Sequence, residues 1–75
     1  MIYGKILTYK DIEEARKLIG KKVIASDVLR AIENNPSKYQ ECILLDVIED
    51  EFSFVFKVKY DLSRIAYYQF IREII

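Results

Sequence analysis

Residues 52–60, FSFVFKVKY, decide the fold of this chain. Phe52, Phe54, Phe56, Val58 and Tyr60 alternate here with serine, valine and two lysines. Because successive side chains of a strand point to opposite faces, this period of two predicts a strand with one aromatic face and one mixed, partly charged face. We expect Phe54 and Phe56 to point into the core.

The run before this strand supplies its partner. Residues 42–48, CILLDVI, are apolar at every position except Asp46, which is typical of a central strand. Only Glu49, Asp50 and Glu51 separate the two runs. So short a connection favours an antiparallel hairpin over residues 42–60, although the three acids lack the Asn-Gly or Asp-Gly sequence of a tight turn.

The first twenty residues predict a short strand followed by a helix. Residues 3–7 can form the strand, and Thr8 and Asp11 have the spacing of a capping box, in which the threonine oxygen accepts from a first-turn amide. The apolar stripe of the helix is formed by Ile12, Ala15, Leu18 and Ile19. Gly20 then suits the end of the helix as a C-terminal cap.

A second strand and helix follow. Residues 21–25, KKVIA, predict a strand through their β-branched pair, and Ser26 or Asp27 is positioned to cap the helix. The apolar residues of that helix are Val28, Leu29, Ala31 and Ile32. Pro36 ends it, since the residue before a proline is disfavoured in helical angles.

The tail, residues 61–75, fits two periods. As a helix it would begin at Asp61 and have on one face Leu62, Ile65, Tyr68, Ile71 and Ile75. As a strand it would place Tyr67, Gln69 and Ile71 on one side and, on the other, Tyr68, Phe70 and Arg72. Aromatic and β-branched residues favour a strand over residues 67–74, with a turn over residues 61–64.

Together these elements predict one domain over residues 1–75 with an α+β fold. A small, mainly antiparallel sheet has the hairpin of residues 42–60 at its centre, and two short helices pack on it. A domain of this size buries only about 60% of the surface of its unfolded chain. Because 52% of the residues are apolar, we expect the surplus apolar surface to be used in self-association as a homo-oligomer.

Cysteine and histidine usage limits the chemistry. Cys42 is the only cysteine and lies in an apolar run, which favours a buried thiol over a nucleophile and leaves no disulfide. With no apolar run near eighteen residues and no cleavable leader, we expect a cytoplasmic protein without a membrane span. The chain has no histidine and only two glycines, so we expect no enzyme, no metal and no cofactor.

The charges balance overall but are unevenly spread. Twelve basic and twelve acidic residues give a formal net charge of zero, so duplex nucleic acid is not an expected partner. Residues 31–51 nevertheless hold one basic and six acidic residues. This predicts an acidic tip formed by Glu49, Asp50 and Glu51, although charge runs of this kind are usually solvated turns.

A binding site is easier to assemble than a catalytic one. The tail interleaves guanidinium groups with aromatic rings, the combination that stacks on a base and holds a phosphate, at Arg64, Tyr67, Tyr68 and Arg72. The competing interpretation is that one tyrosine packs in the core while both arginines are solvated. Arg30, with Ser26 at the predicted helix start, is a second candidate, although capping is the better explanation there.

Both ends of the chain resemble a known kind of protein. The opening YGKILTYKDIEEARKLIGKKV and the closing YYQFIREI are similar to the ends of small proteins encoded by phages and prophages of low-GC bacteria. In those proteins a capped helix leads into a Gly-Lys-Lys strand, and a Tyr-x-Phe-Ile-Arg strand closes a compact sheet. Several are non-enzymatic antagonists of bacterial defence that sequester a nucleotide signal or block a defence protein.

The resemblance and the residues together give two functional hypotheses. In the first, the chain is a phage-type anti-defence protein that binds and sequesters a small nucleotide-derived signal at an oligomer interface. In the alternative, it is a protein–protein inhibitor that blocks a host defence enzyme through its strand edge or acidic loop. The partner is accordingly a small nucleotide-type ligand or a host defence protein.

Overall fold

The computed structural model describes residues 1–75. It contains two short α-helices, α1 (Ile12–Arg16) and α2 (Leu29–Asn34), and six β-strands. The strands are β1 (Tyr3–Leu7), β2 (Lys22–Ser26), β3 (Cys42–Glu49), β4 (Phe54–Lys59), β5 (Ile65–Tyr68) and β6 (Phe70–Ile74). The expected α+β class, with a mainly antiparallel sheet and two helices, is confirmed.

All six strands belong to one antiparallel sheet in the order β1-β6-β2-β3-β4-β5. β5 and β6 therefore occupy the sixth and second positions of the sheet, although only Gln69 separates them along the chain. The two residue steps from Tyr68 to Phe70 span at most about 7 Å, so the sheet must curl to bring the end of β5 close to the start of β6 at Gln69. The Gln69 Nε2 atom donates to the Phe54 carbonyl oxygen at 2.9 Å, which ties this joint to the start of β4.

The expected hairpin is present, with shorter strands and a different loop. β3 and β4 pair from Ile43 opposite Lys59 to Glu49 opposite Phe54. Glu49 is thus the last residue of β3, and residues 50–53 form the connection. Phe52, which the alternating pattern assigns to the strand, lies in this loop with 94% of its surface exposed.

The core fills the inside of the curled sheet. Phe56, Val58 and Tyr60 are buried there, and Phe54 packs against them, which confirms the inward direction expected for the two phenylalanines. The Phe54 and Phe56 rings meet edge to face with their centroids 4.6 Å apart. The other strands, α1 and the turn after it contribute Leu7, Ala15, Leu18, Val23, Ala25, Cys42, Leu44, Val47 and Ile71.

The first helix starts as expected but is shorter. Thr8 and Asp11 form the capping box, with the Lys10 amide donating to Thr8 Oγ1 at 3.2 Å and the Thr8 amide donating to Asp11 Oδ2 at 3.0 Å. The first turn is a 3-10 turn at Tyr9–Asp11, and α1 extends only to Arg16. Residues 17–20 continue as turns, and Gly20 has a φ of +90°, a value that favours glycine.

The second helix differs from the prediction at its start. Neither Ser26 nor Asp27 caps it: its N-cap residue is Val28, which makes no side-chain capping hydrogen bond. Ser26 is instead the last residue of β2, and its Oγ atom closes a turn by accepting from the Val28 amide at 3.0 Å. The end before Pro36 is as expected. α2 packs against β2, where Ile24 and Ile32 are fully buried outside the main core.

The tail is extended, as favoured over the helix, but it is two strands rather than one. β5 begins at Ile65 and pairs with β4, whereas β6 pairs with β1 and β2. The single alternation expected through Gln69 is wrong, because Tyr68 packs against the core and Ile71 is also fully buried in it. A break at Gln69 changes the alternation so that both residues face inward.

No helix in the structure has the length and apolar character needed to cross a membrane.

Candidate functional site

A cleft lies at the open end of the β3–β4 hairpin, opposite the loop. We call it the Tyr60 cleft; its volume is about 520 Å³, within the range of small-molecule sites. Its walls are the start of β3 and the turn that leaves β4. The lining residues are Lys22, Gln40, Glu41, Cys42, Ile43, Lys59, Tyr60, Asp61, Leu62 and Ser63.

Strand register brings two lysines to this cleft. Ile43 pairs with Lys22 on one side and with Lys59 on the other. Paired residues share a face of the sheet, so both ammonium groups border the same half-buried isoleucine. Lys22 has a distant acidic partner, with its Nζ atom 3.7 Å from a Glu41 carboxylate oxygen, whereas Lys59 forms no ion pair.

Arg64 supplies a third cation beside the cleft. Its guanidinium carbon lies 4.8 Å from the centroid of the Tyr60 ring, a distance at which a cation is attracted to the ring face. One guanidinium nitrogen donates to Gln40 Oε1 at 3.4 Å, and no carboxylate pairs with it. Arg64 and Lys59 are therefore two cations without acidic partners next to one cleft.

The wall formed by residues 61–63 has unusual backbone angles. Leu62 and Ser63 have φ values of 64° and 61°, in the left-handed region that non-glycine residues seldom occupy. Leu62 is also fully exposed, so no burial of its side chain offsets this conformation. Consecutive residues in such a conformation cost free energy, and strain of this kind clusters at ligand-binding positions.

The floor of the cleft is buried and polar. The Tyr60 hydroxyl donates to the Tyr68 hydroxyl at 3.0 Å, and burial, followed by this hydrogen bond, raises the pKa of Tyr60. The Cys42 thiol donates to the Val23 carbonyl oxygen at 3.3 Å, and burial raises its pKa to about 12. The thiol is therefore protonated at neutral pH, as expected of a structural cysteine and not of a nucleophile.

The structure does not gather the four tail residues that the sequence suggested as one site. Arg64 lies beside the cleft, and Tyr68 reaches it only through the hydrogen bond between its hydroxyl and that of Tyr60. Tyr68 packs against the core, as the competing interpretation has it for one of the two tyrosines. Tyr67 lies on the opposite face of β5, half exposed and paired with Lys57.

Arg72 lies on β6, which pairs with β1 and β2, whereas Arg64 precedes β5, which pairs with β4. The Arg72 Nε atom donates to the Gly4 carbonyl oxygen at 2.7 Å, and its guanidinium carbon lies 5.6 Å from the Tyr3 ring centroid. Arg72 is thus held within the β1–β6 pair. It does not complete a clamp with Arg64.

The second site expected from the sequence, Arg30 with Ser26, is not brought together either. Ser26 is only 5% exposed, and its hydroxyl is bonded to both the amide and the carbonyl of Val28. Arg30 is exposed on α2. Because α2 has no side-chain cap and starts at Leu29, Ser26 and Arg30 do not form the anion site expected at a helix start.

Sequence reasoning missed the residues that form the cleft with Arg64. In the sequence, Lys22 falls in the strand predicted over residues 21–25, and Lys59 and Tyr60 fall at the end of the aromatic strand, with no local sign that they meet. Only the pairing of both lysines with Ile43 reveals that they share a site. The signal available in the sequence was the Lys-Tyr-Asp sequence at the end of the aromatic strand, followed by Arg64.

A second surface lies at the other end of the hairpin. The carboxylate of Asp50 accepts from the amides of Phe52 and Ser53 at 2.8 and 2.7 Å, which holds the loop in one shape and lowers the pKa of Asp50. Phe52 projects from this loop beside Glu49 and Glu51. The adjoining cavity, about 540 Å³ in volume, also touches Tyr9 and Ile12 and is bordered by Gln69.

One acidic side chain at this end of the hairpin already has a basic partner. Arg16 donates to Glu49 Oε1 at 3.2 Å and so ties α1 to the end of β3. No cluster of three or more acidic, cysteine or histidine residues is placed to hold a metal ion.

A scan of protein-family models and searches of curated proteins and solved structures found no match to this chain.

Proposed function

We propose that this chain is a non-enzymatic binding protein that holds a small phosphate-bearing ligand of the nucleotide type in the Tyr60 cleft. The observation that carries the proposal is the position of Lys59 and Arg64, two cations without acidic partners beside one cleft. Phosphate oxygens accept charge-assisted hydrogen bonds from such groups. The stacked Arg64–Tyr60 pair offers a flat surface to a base.

The biological role we propose is sequestration. The resemblance to small phage and prophage proteins supports an antagonist of bacterial defence that withdraws a nucleotide-derived signal by binding it. The free, buried Cys42 is compatible with the reducing cytoplasm, where such a signal would be met. In this role the protein needs affinity and no chemical step.

Calorimetry with cyclic and linear nucleotides tests the proposal. We expect binding by the wild-type chain, and an affinity about 10-fold to 150-fold lower for Arg64→Ala and for Lys59→Ala, because each removes a charge-assisted hydrogen bond of about 1.5 to 3 kcal/mol. Lys17→Ala removes an exposed cation on the turn after α1, away from the residues that line the cleft, and should leave the affinity unchanged. The absence of heat with every nucleotide would contradict the proposal.

One observation favours a second candidate function, the blocking of a host protein through the acidic loop. Phe52 is a large apolar residue with 94% of its surface exposed, on a loop that Asp50 holds in place. Aromatic residues on ordered loops are effective anchors in protein–protein interfaces because little entropy is lost when they are buried.

The two candidates respond to different substitutions. Blocking by the loop predicts that Phe52→Ala and Glu51→Lys abolish inhibition of the host enzyme, whereas Arg64→Ala retains it. Nucleotide capture predicts that Arg64→Ala loses nucleotide binding, whereas Phe52→Ala and Glu51→Lys retain it. Measuring inhibition and nucleotide binding with the same three variants distinguishes the two.

A further inference from the structure

The Tyr60 cleft contains negative charge as well as positive charge. Its charged lining residues are Lys22, Glu41, Lys59 and Asp61. Two ammonium groups and two carboxylates make the lining neutral as a whole. Arg64, stacked on the Tyr60 ring beside the cleft, adds a single positive charge. The site therefore has only a small excess of positive charge, which suits a weakly charged anion better than a highly charged one.

Asp61 lies between the two cations that the proposed function uses. It follows Lys59 closely in the chain and precedes Arg64. The Tyr60 amide donates to the Arg64 carbonyl oxygen at 2.8 Å, so residues 61–63 form a short closed loop. Asp61 lines the cleft from this loop and forms no ion pair there. A phosphate group held by Lys59 and Arg64 therefore has a carboxylate close to it.

Lys22 is the remaining cation of the lining, and Glu41 competes for it. The Lys22 Nζ atom lies 3.7 Å from a Glu41 carboxylate oxygen, with the two side chains 67% and 40% exposed. A pair so open to water contributes little to stability. Its consequence is for a ligand, because a phosphate that reaches Lys22 must displace Glu41 or lie against it.

The number of phosphate groups on a ligand decides how the ligand meets these acids. A single phosphate group can pair with Lys59 and Arg64, whose positive charges outweigh the one carboxylate of Asp61. Each further phosphate of a chain adds negative charge, and the lining holds no cation free of an acidic partner to receive it. In a site with cations alone, the added charge would strengthen binding instead.

We infer that the ligand of the Tyr60 cleft carries one phosphate group, and that Glu41 and Asp61 exclude nucleotides with a diphosphate or triphosphate chain. The inference rests on the proposed function, since it concerns the same cleft. Specificity of this kind comes from repulsion of the wrong ligand as much as from attraction of the right one. Glu41 and Asp61 determine which nucleotide is accepted, whereas Lys59 and Arg64 supply affinity for every phosphate.

Calorimetry with nucleotides that share a base tests the inference. The monophosphate, the cyclic monophosphate and the triphosphate of adenosine, guanosine, cytidine and uridine are compared. The buffer contains no divalent cation, because Mg²⁺ binds to phosphate chains and masks their charge. For at least one base, we expect a monophosphate form to bind about tenfold or more tightly than the triphosphate, because the triphosphate places like charges next to each other.

Two substitutions remove the acids at nearly constant size. Asp61→Asn and Glu41→Gln should each reduce the preference for the monophosphate about threefold to tenfold, because repulsion between like charges grows with the charge of the ligand. Glu13→Gln is the matched control. It makes the same change at an exposed residue of α1, the helix that Arg16 ties to the opposite end of the hairpin, and should leave the preference unchanged.

The possible results separate this inference from the proposed function. If a triphosphate is the tightest ligand, or if both substitutions leave the preference unchanged, the inference is wrong and the nucleotide site remains. If no nucleotide binds, both are wrong. Circular dichroism reports whether each variant is folded. Should a variant be unfolded, the order of affinities measured with the wild-type chain still decides the question.

Discussion

The two faces of β4 illustrate how one strand serves two purposes. Its inner face, Phe54, Phe56 and Val58, packs in the core, whereas its outer face lies outside the core, half-buried at Val55 and Lys57 and exposed at Lys59. The inner face meets only apolar groups and polar groups that are already bonded. The outer face leads to the acidic loop at one end and to the Tyr60 cleft at the other.

This difference separates stability from binding along a single strand. Polar groups on the inner side, such as the Tyr60 and Tyr68 hydroxyls, bond each other, and no buried side-chain polar atom lacks a partner. On the outer side, cations without partners, a strained turn and exposed apolar residues remain. Substitutions on the two sides should therefore have different consequences.

The largest expected effect is on the inner face. Phe56→Ala should lower the free energy of unfolding by about 3 to 5 kcal/mol, since Phe56 is fully buried and its removal leaves a cavity. Val55→Ala, one position away on the outer face, should cost about 1 kcal/mol or less. Urea unfolding of both variants in dilute solution measures the contrast. Equal losses would show that the two faces do not differ as described.

The next effect concerns the titration of the buried thiol. The pKa of Cys42 is raised to about 12 from an ordinary value of 9.0. Between these values the unfolded chain releases a proton that the folded chain retains, so stability is full below pH 9 and falls as the pH rises. We expect a loss of about 1 kcal/mol by pH 10.

Urea unfolding between pH 8 and 10 tests this, with Cys42→Ala as the matched variant. The variant should lose much less stability over this range, because it has no thiol to ionise. If the free energy of unfolding falls equally with pH in both proteins, burial of Cys42 does not cause the loss of stability at alkaline pH.

A smaller effect of opposite sign is expected at the strained turn. Leu62→Gly should be about 1 kcal/mol more stable than Leu62→Ala, because glycine adopts a positive φ at no steric cost and both variants lack the exposed side chain. Thermal unfolding of the pair measures the difference. An alanine variant as stable as the glycine variant would mean that the turn is unstrained.

The smallest effect lies at the acidic loop. Hydrogen bonds from the Phe52 and Ser53 amides lower the pKa of Asp50. The stabilisation is present at neutral pH and is lost as the pH falls below the ordinary aspartate value and through the folded one. Asp50→Asn should therefore lose less stability than the wild type between about pH 4 and pH 2.

Unfolding profiles in acid compare Asp50→Asn with Glu51→Gln. The second variant removes a neighbouring carboxylate that accepts none of these amide bonds. Only Asp50→Asn should reduce the loss of unfolding free energy as the pH falls. The same reduction in Glu51→Gln would assign it to the general charge of the loop.

Local sequence signals predicted most of the secondary structure. Alternation in residues 52–60 depends only on neighbouring residues, and so do the Thr8–Asp11 box and the turn at Gly20. The ends of elements were less predictable. Phe52 continues the aromatic alternation in sequence, but Asp50 binds the amides of Phe52 and Ser53 and so ends the pattern two residues later.

The closure of the sheet was not predictable in this way. A single period through residues 67–74 suggested one strand, whereas Gln69 divides the segment so that each half can pair with different strands. That choice depends on the register of β2 and β4, which are distant in sequence. Local alternation contains no information about them.

The residues around the Tyr60 cleft could not be predicted from the sequence for the same reason. Arg64, in the predicted turn, and Arg72, in the predicted strand, are eight residues apart, but Arg64 precedes β5, which pairs with β4, whereas Arg72 lies in β6, which pairs with β1 and β2. Lys22 and Lys59 are far apart in sequence and meet across Ile43. Of the expected cluster, Arg64 lies beside the Tyr60 cleft and Arg72 is held by the Gly4 carbonyl oxygen in the β1–β6 pair.

The position of β6 between β1 and β2 has a consequence for biosynthesis. β1 is made first, yet its one strand partner is β6, near the other end of the chain. At about 5 to 20 residues per second, the ribosome needs several seconds to supply that partner. During this interval Leu7 and the backbone of β1 have no strand partner, so β1 can join the sheet only after β6 has been made.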